Sequence, residues 1–213
     1  MNALEKYVSY TSKNSYSCLN KLTDKTKNVW VVFHGIGYLS RYFLKYFNEL
    51  NKEQNFIISP QAPSKYYLNS EYKHVGASWL TKEDRDTSME NLLNYLDEIM
   101  VQESVPKNCR LIILGFSQGV SVAMRWVAKR KVQCHLLVLY AGGIPDELNK
   151  ADFAHLEGSS SVKILIGDAD EYLNEQRLKT ERRKIEAIFN NKAELVIFEG
   201  THEVKKELIN GLV

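Results

Sequence analysis

Residues Leu111-Ile112-Ile113-Leu114-Gly115-Phe116-Ser117-Gln118-Gly119-Val120 decide how this chain folds. Four apolar residues in a row, with no polar alternation, have the pattern of a strand covered on both faces. The stripe that follows, Val120, Met124 and Val127, has helical spacing. Between them stands a serine with a glycine two residues away on each side, where the chain must turn sharply. Strand, tight turn and helix in that order make a parallel α/β unit.

The same alternation runs outward in both directions. Apolar runs recur at Val29-Trp30-Val31-Val32-Phe33, Phe56-Ile57-Ile58, Leu136-Leu137-Val138-Leu139-Tyr140, Val162-Lys163-Ile164-Leu165-Ile166 and Leu195-Val196-Ile197-Phe198. Helical stripes lie between them, with Leu92, Leu96, Ile99 and Met100 in Ser88 to Glu103, and Ile185, Ile188 and Phe189 in Asn174 to Asn190. The pattern predicts a doubly wound, mainly parallel central sheet flanked by helices, built as one domain over 1–213. Weaker alternation around Val8, Tyr10, Tyr16 and Cys18 predicts an antiparallel edge hairpin within 1–28.

Composition narrows the partners. The 213 residues carry 28 basic and 26 acidic side chains, and a formal charge of +2 gives no field strong enough to attract phosphate backbones, so no nucleic-acid partner is expected. Lys129-Arg130-Lys131 and Arg182-Arg183-Lys184 read as solvated helix faces. Cys18, Cys109 and Cys134 are odd in number and lack metal-ligand spacing, so neither a disulfide framework, a metal site nor a cofactor is expected. The N-terminus lacks a signal peptide's apolar stretch, and the longest apolar run, Leu136 to about Ile144, is too short to span a bilayer. The expectation is a cytoplasmic protein without membrane insertion.

In open α/β sheets the ligand crevice lies beyond the carboxyl ends of the strands. Gly115-Phe116-Ser117-Gln118-Gly119 is there a G-x-S-x-G nucleophile elbow, with the Ser117 hydroxyl above the sheet at a helix N-terminus. A serine hydroxyl needs a base to remove its proton. His202 follows the last apolar run through Glu199-Gly200-Thr201 and fits that role. His34 sits between a strand and glycines, His135 starts a strand at the far end of the sheet, His155 lies in a polar connection, and His74 lies in a long loop. An orienting carboxylate belongs between Ser117 and His202 in chain order, and Gly167-Asp168-Ala169-Asp170-Glu171 offers Asp168, Asp170 and Glu171. Spacing does not choose between the two aspartates. Backbone N–H donors for an oxyanion are expected from Gln118, after the nucleophile, and from His34-Gly35-Ile36-Gly37, with Ile36 preferred over Gly37 and Tyr38.

Together these segments resemble the α/β-hydrolase superfamily, and within it the phospholipase/carboxylesterase family that includes the acyl-protein thioesterases. The resemblance runs from about Val29 to Val213. It rests on the elbow, Phe33-His34-Gly35-Ile36-Gly37, Ser59-Pro60-Gln61-Ala62-Pro63, Ser78-Trp79-Leu80, Gly167-Asp168-Ala169-Asp170 and Gly200-Thr201-His202. It implies that the acid is the second aspartate of the G-D-x-D segment, Asp170. The chain departs from the family after that residue, reading Glu171-Tyr172-Leu173 where a proline-containing, valine-rich turn is common.

Only about 18 residues separate the run ending near Gly143 from the one starting at Val162, which leaves no room for a helical lid. Tyr38, Tyr42, Tyr66, Tyr67 and Trp79 are candidates either to line an acyl pocket, Tyr38 and Trp79 foremost, or equally to be packing residues, and the near-neutral charge suits uncharged acyl groups. The expected function is hydrolysis of small-molecule carboxylic esters or thioesters through an acyl-enzyme on Ser117. The rivals are a peptidase or amidase on the same fold, and a non-catalytic protein of this fold that binds a ligand.

Overall fold

The computed structural model describes residues 3–156, 158–172 and 175–213. In chain order the strands are β1 (Tyr16–Leu19), β2 (Asn28–Phe33), β3 (Asn55–Pro60), β4 (Ser64–Tyr67), β5 (Val75–Ser78), β6 (Arg110–Phe116), β7 (Leu136–Tyr140), β8 (Ser161–Gly167) and β9 (Ala193–Phe198). The α-helices are α1 (Ser40–Phe43), α2 (Arg85–Glu103), α3 (Gln118–Arg130), α4 (Glu175–Phe189) and α5 (Lys206–Asn210).

Seven strands make one sheet in the order β1-β3-β2-β6-β7-β8-β9, parallel except for β1 against β3. Each apolar run is a strand, and all of β2 is buried because it is covered on both sides. Val29, Val31 and Phe33 face α2 and α3, while Trp30 and Val32 face Phe43, Phe47 and Ile209 on the other side. Two covered faces remove the polar alternation that a half-exposed strand would show.

The strand order also places the crevice. The chain passes from β2 to β3 on one side and returns to β6 on the other, so the order reverses beside β2. Loops leaving β2 and β6 open a gap there. The register aligns Phe33 with Gly115, which brings the two loops out side by side.

The N-terminal expectation needs correction. The antiparallel edge is one strand, β1, and residues 3–15 contain no strand that would complete a hairpin. Val8 is 87% exposed and Tyr10 83%, so their alternation has no face to pack against. A hairpin does form elsewhere, from β4 and β5, over a stretch without strand-like alternation. Helix α2 starts at Arg85, three residues ahead of the expected Ser88. Asn174, the expected first residue of the helix that became α4, lies outside the described residues. Between β7 and β8 the described residues contain a single 3-10 turn at Lys150–Phe153 and no α-helical lid.

Candidate active site

Ser117 occupies the turn between β6 and α3 with φ 54° and ψ −118°, a conformation L-residues rarely adopt. Its N–H donates to the Tyr140 carbonyl at the end of β7 (2.8 Å), which anchors the turn to the sheet. The flanking glycines are required by space. A Cβ on Gly115 would stand 2.4 Å from the Gly119 carbonyl oxygen, and one on Gly119 2.2 Å from that of Phe33. Such contacts would push α3 away from β2 and β6 and move the serine.

The Ser117 Oγ lies 2.9 Å from His202 Nε2, and His202 Nδ1 lies 2.8 Å from Asp170 Oδ2. The Asp170 side chain has no exposed surface and that of His202 is 15% exposed. A carboxylate only accepts, so the network places the imidazole proton on Nδ1 and leaves the Nε2 lone pair facing the serine hydroxyl. The second Asp170 oxygen accepts the Tyr172 N–H at 2.9 Å. The Tyr172 ring sits edge-on to His202 with centroids 4.7 Å apart, and Phe116 lies 5.1 Å away. Tyr172 belongs to the segment that departs from the family pattern; the following Leu173 lies outside the described residues.

Asp168 stands apart from this chain of bonds. Its Oδ1 accepts the Gly200 N–H (3.0 Å), its own N–H donates to the Phe198 carbonyl (2.9 Å), and it thereby ties the loop after β8 to the loop after β9. Those are the loops that carry Asp170 and His202. Of the remaining histidines, His135 and His155 bond to backbone far from the serine, at Leu111 and Val132.

The loop after β2 comes within reach of Ser117. Gly37 has φ 83°, a left-handed conformation suited to glycine, and its N–H is taken by the Ala77 carbonyl at 2.9 Å. The Tyr38 N–H is taken by Gly35 at 3.3 Å. Among the described residues the N–H groups of Ile36 and Gln118 have no acceptor, and both residues line the cavity over Ser117. The Gln118 N–H is the first of α3, where helix geometry leaves donors unsatisfied and the helix dipole favours negative charge.

His34 holds this loop from beneath. Fully buried, it donates Nδ1–H to the Gly35 carbonyl (2.8 Å) and accepts the Ala62 N–H at Nε2 (3.3 Å). Burial pushes its imidazole down to about 4, so it is neutral at ordinary pH. Trp79 is 1% exposed and does not reach the cavity. Its indole donates to the His34 carbonyl (2.7 Å), and its N–H donates to the Gln118 side-chain oxygen (2.9 Å), so it braces both loops instead of lining a pocket. The Gln118 amide nitrogen reaches the Leu80 carbonyl at 2.8 Å and completes the brace.

A cavity of about 620 Å³ opens over the serine. Of the five aromatics expected around an acyl pocket, only Tyr38 lines it. Much of the remaining lining is instead a charged wall, with Arg85, Arg125, Arg177 and Lys184 against Asp146, Glu147 and Glu181. Sequence reasoning missed this wall. Its one local signal is the spacing Ser117, Ser121, Arg125, which repeats every four residues along α3. Among the described residues no group of three or more His, Cys, Asp or Glu is arranged to hold a metal, and no helix is long and apolar enough to cross a membrane.

The strand order, the elbow at the end of β6 and the crevice beside β2 define the α/β-hydrolase fold. The sequence matches the phospholipase/carboxylesterase family over residues 14–212, and the chain belongs to that family. Its fold is similar to that of Zea mays acyl-protein thioesterase 2, at 16% identity and a TM-score of 0.71, covering 94% of this chain and 96% of that one. Esterase PE8 is similar at 21% identity and a TM-score of 0.69, with 94% and 98% covered. The Bacillus cereus carboxylesterase is similar at 16% identity and a TM-score of 0.66, with 93% and 91% covered. No curated protein sequence matches the chain significantly.

Proposed function

We propose that the chain is a serine hydrolase of small-molecule carboxylic esters and thioesters, working through an acyl-enzyme on Ser117. The observation that carries this reading is the unbroken path from the buried Asp170 carboxylate through His202 to the Ser117 hydroxyl, with bonds of 2.8 and 2.9 Å. Ser117 Oγ attacks the carbonyl carbon as His202 Nε2 takes its proton. The oxyanion that forms is received by the N–H groups of Ile36 and Gln118, and their lack of any other acceptor among the described residues supports that role. His202 then gives the proton to the leaving oxygen or sulfur. Water, activated by the same histidine, releases the acyl group and restores the serine. Asp170 keeps the imidazole in the required tautomer and offsets its charge.

With no α-helical lid between β7 and β8 among the described residues, the open mouth favours substrates that arrive singly from water. Thioesters are included because the fold is similar to that of a plant acyl-protein thioesterase. The free cysteines Cys18, Cys109 and Cys134, two of them buried, support a reducing, cytoplasmic setting. The test is a panel of p-nitrophenyl esters and acyl thioesters of graded chain length, with Ser117→Ala as the blank. The reading expects turnover of at least one series and a loss of several orders of magnitude in the variant. Equal turnover by a folded Ser117→Ala protein contradicts it.

A further inference from the structure

The charged wall of the cavity is largely self-neutralised, except at one end. Lys184 Nζ pairs with Asp146 (2.6 Å) and Glu181 (3.6 Å), and the second Glu181 oxygen accepts the Ile144 N–H (2.8 Å). Arg177 donates to the Tyr172 carbonyl at 3.2 Å. Arg125 differs. Its side chain is only 9% exposed, yet its sole protein partner among the described residues is Glu147, bound through Nε alone at 2.6 Å. Among the described residues neither Nη group has an acceptor, and the residue lines the cavity. Arg85 stands nearby, its nearest carboxylate being the exposed Asp86 at 3.9 Å. Burial raises the Glu147 carboxyl, but the Arg125 bond and the charges of Arg125 and Arg85 hold it below the usual range. Within the cavity lining Glu147 faces both Arg125 and Arg85, since Asp86, the other carboxylate near Arg85, is fully exposed and outside the lining, so the lining at this end carries two cations against one anion.

Position relates that charge to the reacting serine. Ser117 caps the N-terminus of α3, Ser121 and Arg125 follow on the helix at four-residue steps, and all three line the cavity. Eight residues of helix rise roughly 12 Å. Side chains on a helix lean toward its N-terminus, which brings the Arg125 fork back toward Ser117. A substrate with its carbonyl at Ser117 therefore reaches the guanidinium with its distal end.

We propose that Arg125, assisted by Arg85, is a specificity residue that receives a carboxylate carried by the ester or thioester substrate at a distance from the scissile bond. A planar monoanion matches the paired Nη–H groups of a guanidinium, whereas a phosphate dianion would be repelled more strongly by Glu147. The site thus selects acidic esters over the plain fatty esters that an aromatic pocket would hold.

This inference rests on the hydrolase reading above. It is tested with matched substrates that differ only in a free or methyl-capped distal carboxylate. One series places the group in the acyl part, as in p-nitrophenyl glutarate and adipate. The other places it in the leaving group, as in 4-(carboxymethyl)phenyl acetate. The free acid should be preferred at least tenfold in kcat/KM in one series, and the preference should shrink as salt is raised. In Arg125→Gln the ratio should fall to near one. If that variant does not fold, Arg85→Gln decides, with a preference at least threefold smaller supporting the proposal and an unchanged preference overturning it. Efficient hydrolysis of the capped esters with no preference in either series overturns this inference and leaves the hydrolase reading standing. No turnover of any ester, with no labelling of Ser117 by a fluorophosphonate, overturns the hydrolase reading as well.

Discussion

The indole N–H of Trp79 donates to the carbonyl oxygen of His34 at 2.7 Å, deep beneath the loop that presents the Ile36 N–H to the cavity. Trp79→Phe keeps an aromatic side chain but removes the donor together with part of the ring, leaving a buried carbonyl without its partner. Chemical denaturation should show a loss of about 1–3 kcal/mol. The loop that loses its brace moves relative to Ser117, and kcat should fall roughly tenfold to a hundredfold with a smaller change in KM. Unchanged kcat in a destabilised variant would confine Trp79 to packing.

His34 gives the protein an acid-sensitive element. Burial lowers its folded-state pKa to about 4 from an ordinary 6.5, so between those values the unfolded chain binds a proton that the folded one refuses. Stability from this residue is complete above pH 6.5 and is lost as pH falls toward 4, by roughly 3 kcal/mol. Unfolding free energies measured from pH 7 to 4 should show that slope, and His34→Gln should flatten it. A slope of the same size in the variant would assign it to other groups.

The two aspartates after β8 should separate by the kind of damage their loss causes. Asp170→Asn preserves size but removes the charge beside His202 Nδ1, and kcat should drop by about 10³–10⁴-fold with little loss of stability. Asp168→Ala removes the acceptor for the Gly200 N–H, and should lower stability by about 1–2 kcal/mol with a far smaller effect on kcat. Steady-state kinetics and urea melts of the two variants check this, and the reverse order would exchange their roles.

How far the sequence carried this picture depends on where the deciding information lay. The parallel strands were legible because burial on two faces writes an uninterrupted apolar run. Their polar ends were not, since Asn28 and Asn55 are buried by bonding to each other (3.0 Å), with Trp30 Nε1 on the same Asn55 oxygen (3.0 Å), a pairing that hydropathy cannot display. Ser117 and His202 stood out because each follows an apolar run on a short loop. Choosing Asp170 over Asp168 required the family resemblance, since both occupy the same turn and only their partners differ. Trp79 was not decidable from sequence, because an aromatic near a site looks the same there whether it lines the cavity or braces it. The charged wall was hidden because it gathers residues from α2, α3, the loop after β7 and α4, which approach one another only in the folded chain.

The short connection between β7 and β8 has a kinetic consequence. With no helical lid to displace among the described residues, activity on a short-chain ester should rise smoothly through the concentration at which the substrate forms micelles. An abrupt increase at that point would reveal a mobile cover over the site.

The proposed mechanism makes Ser117 a nucleophile activated by His202. Intact-mass analysis after incubation with a fluorophosphonate tests it most directly, read for the native protein beside Ser117→Ala and His202→Gln. One adduct per native chain, mapped to Ser117, is expected, with none on Ser117→Ala and greatly slowed labelling of His202→Gln. A folded native protein that stays unlabelled, or an adduct that persists on Ser117→Ala, would contradict it.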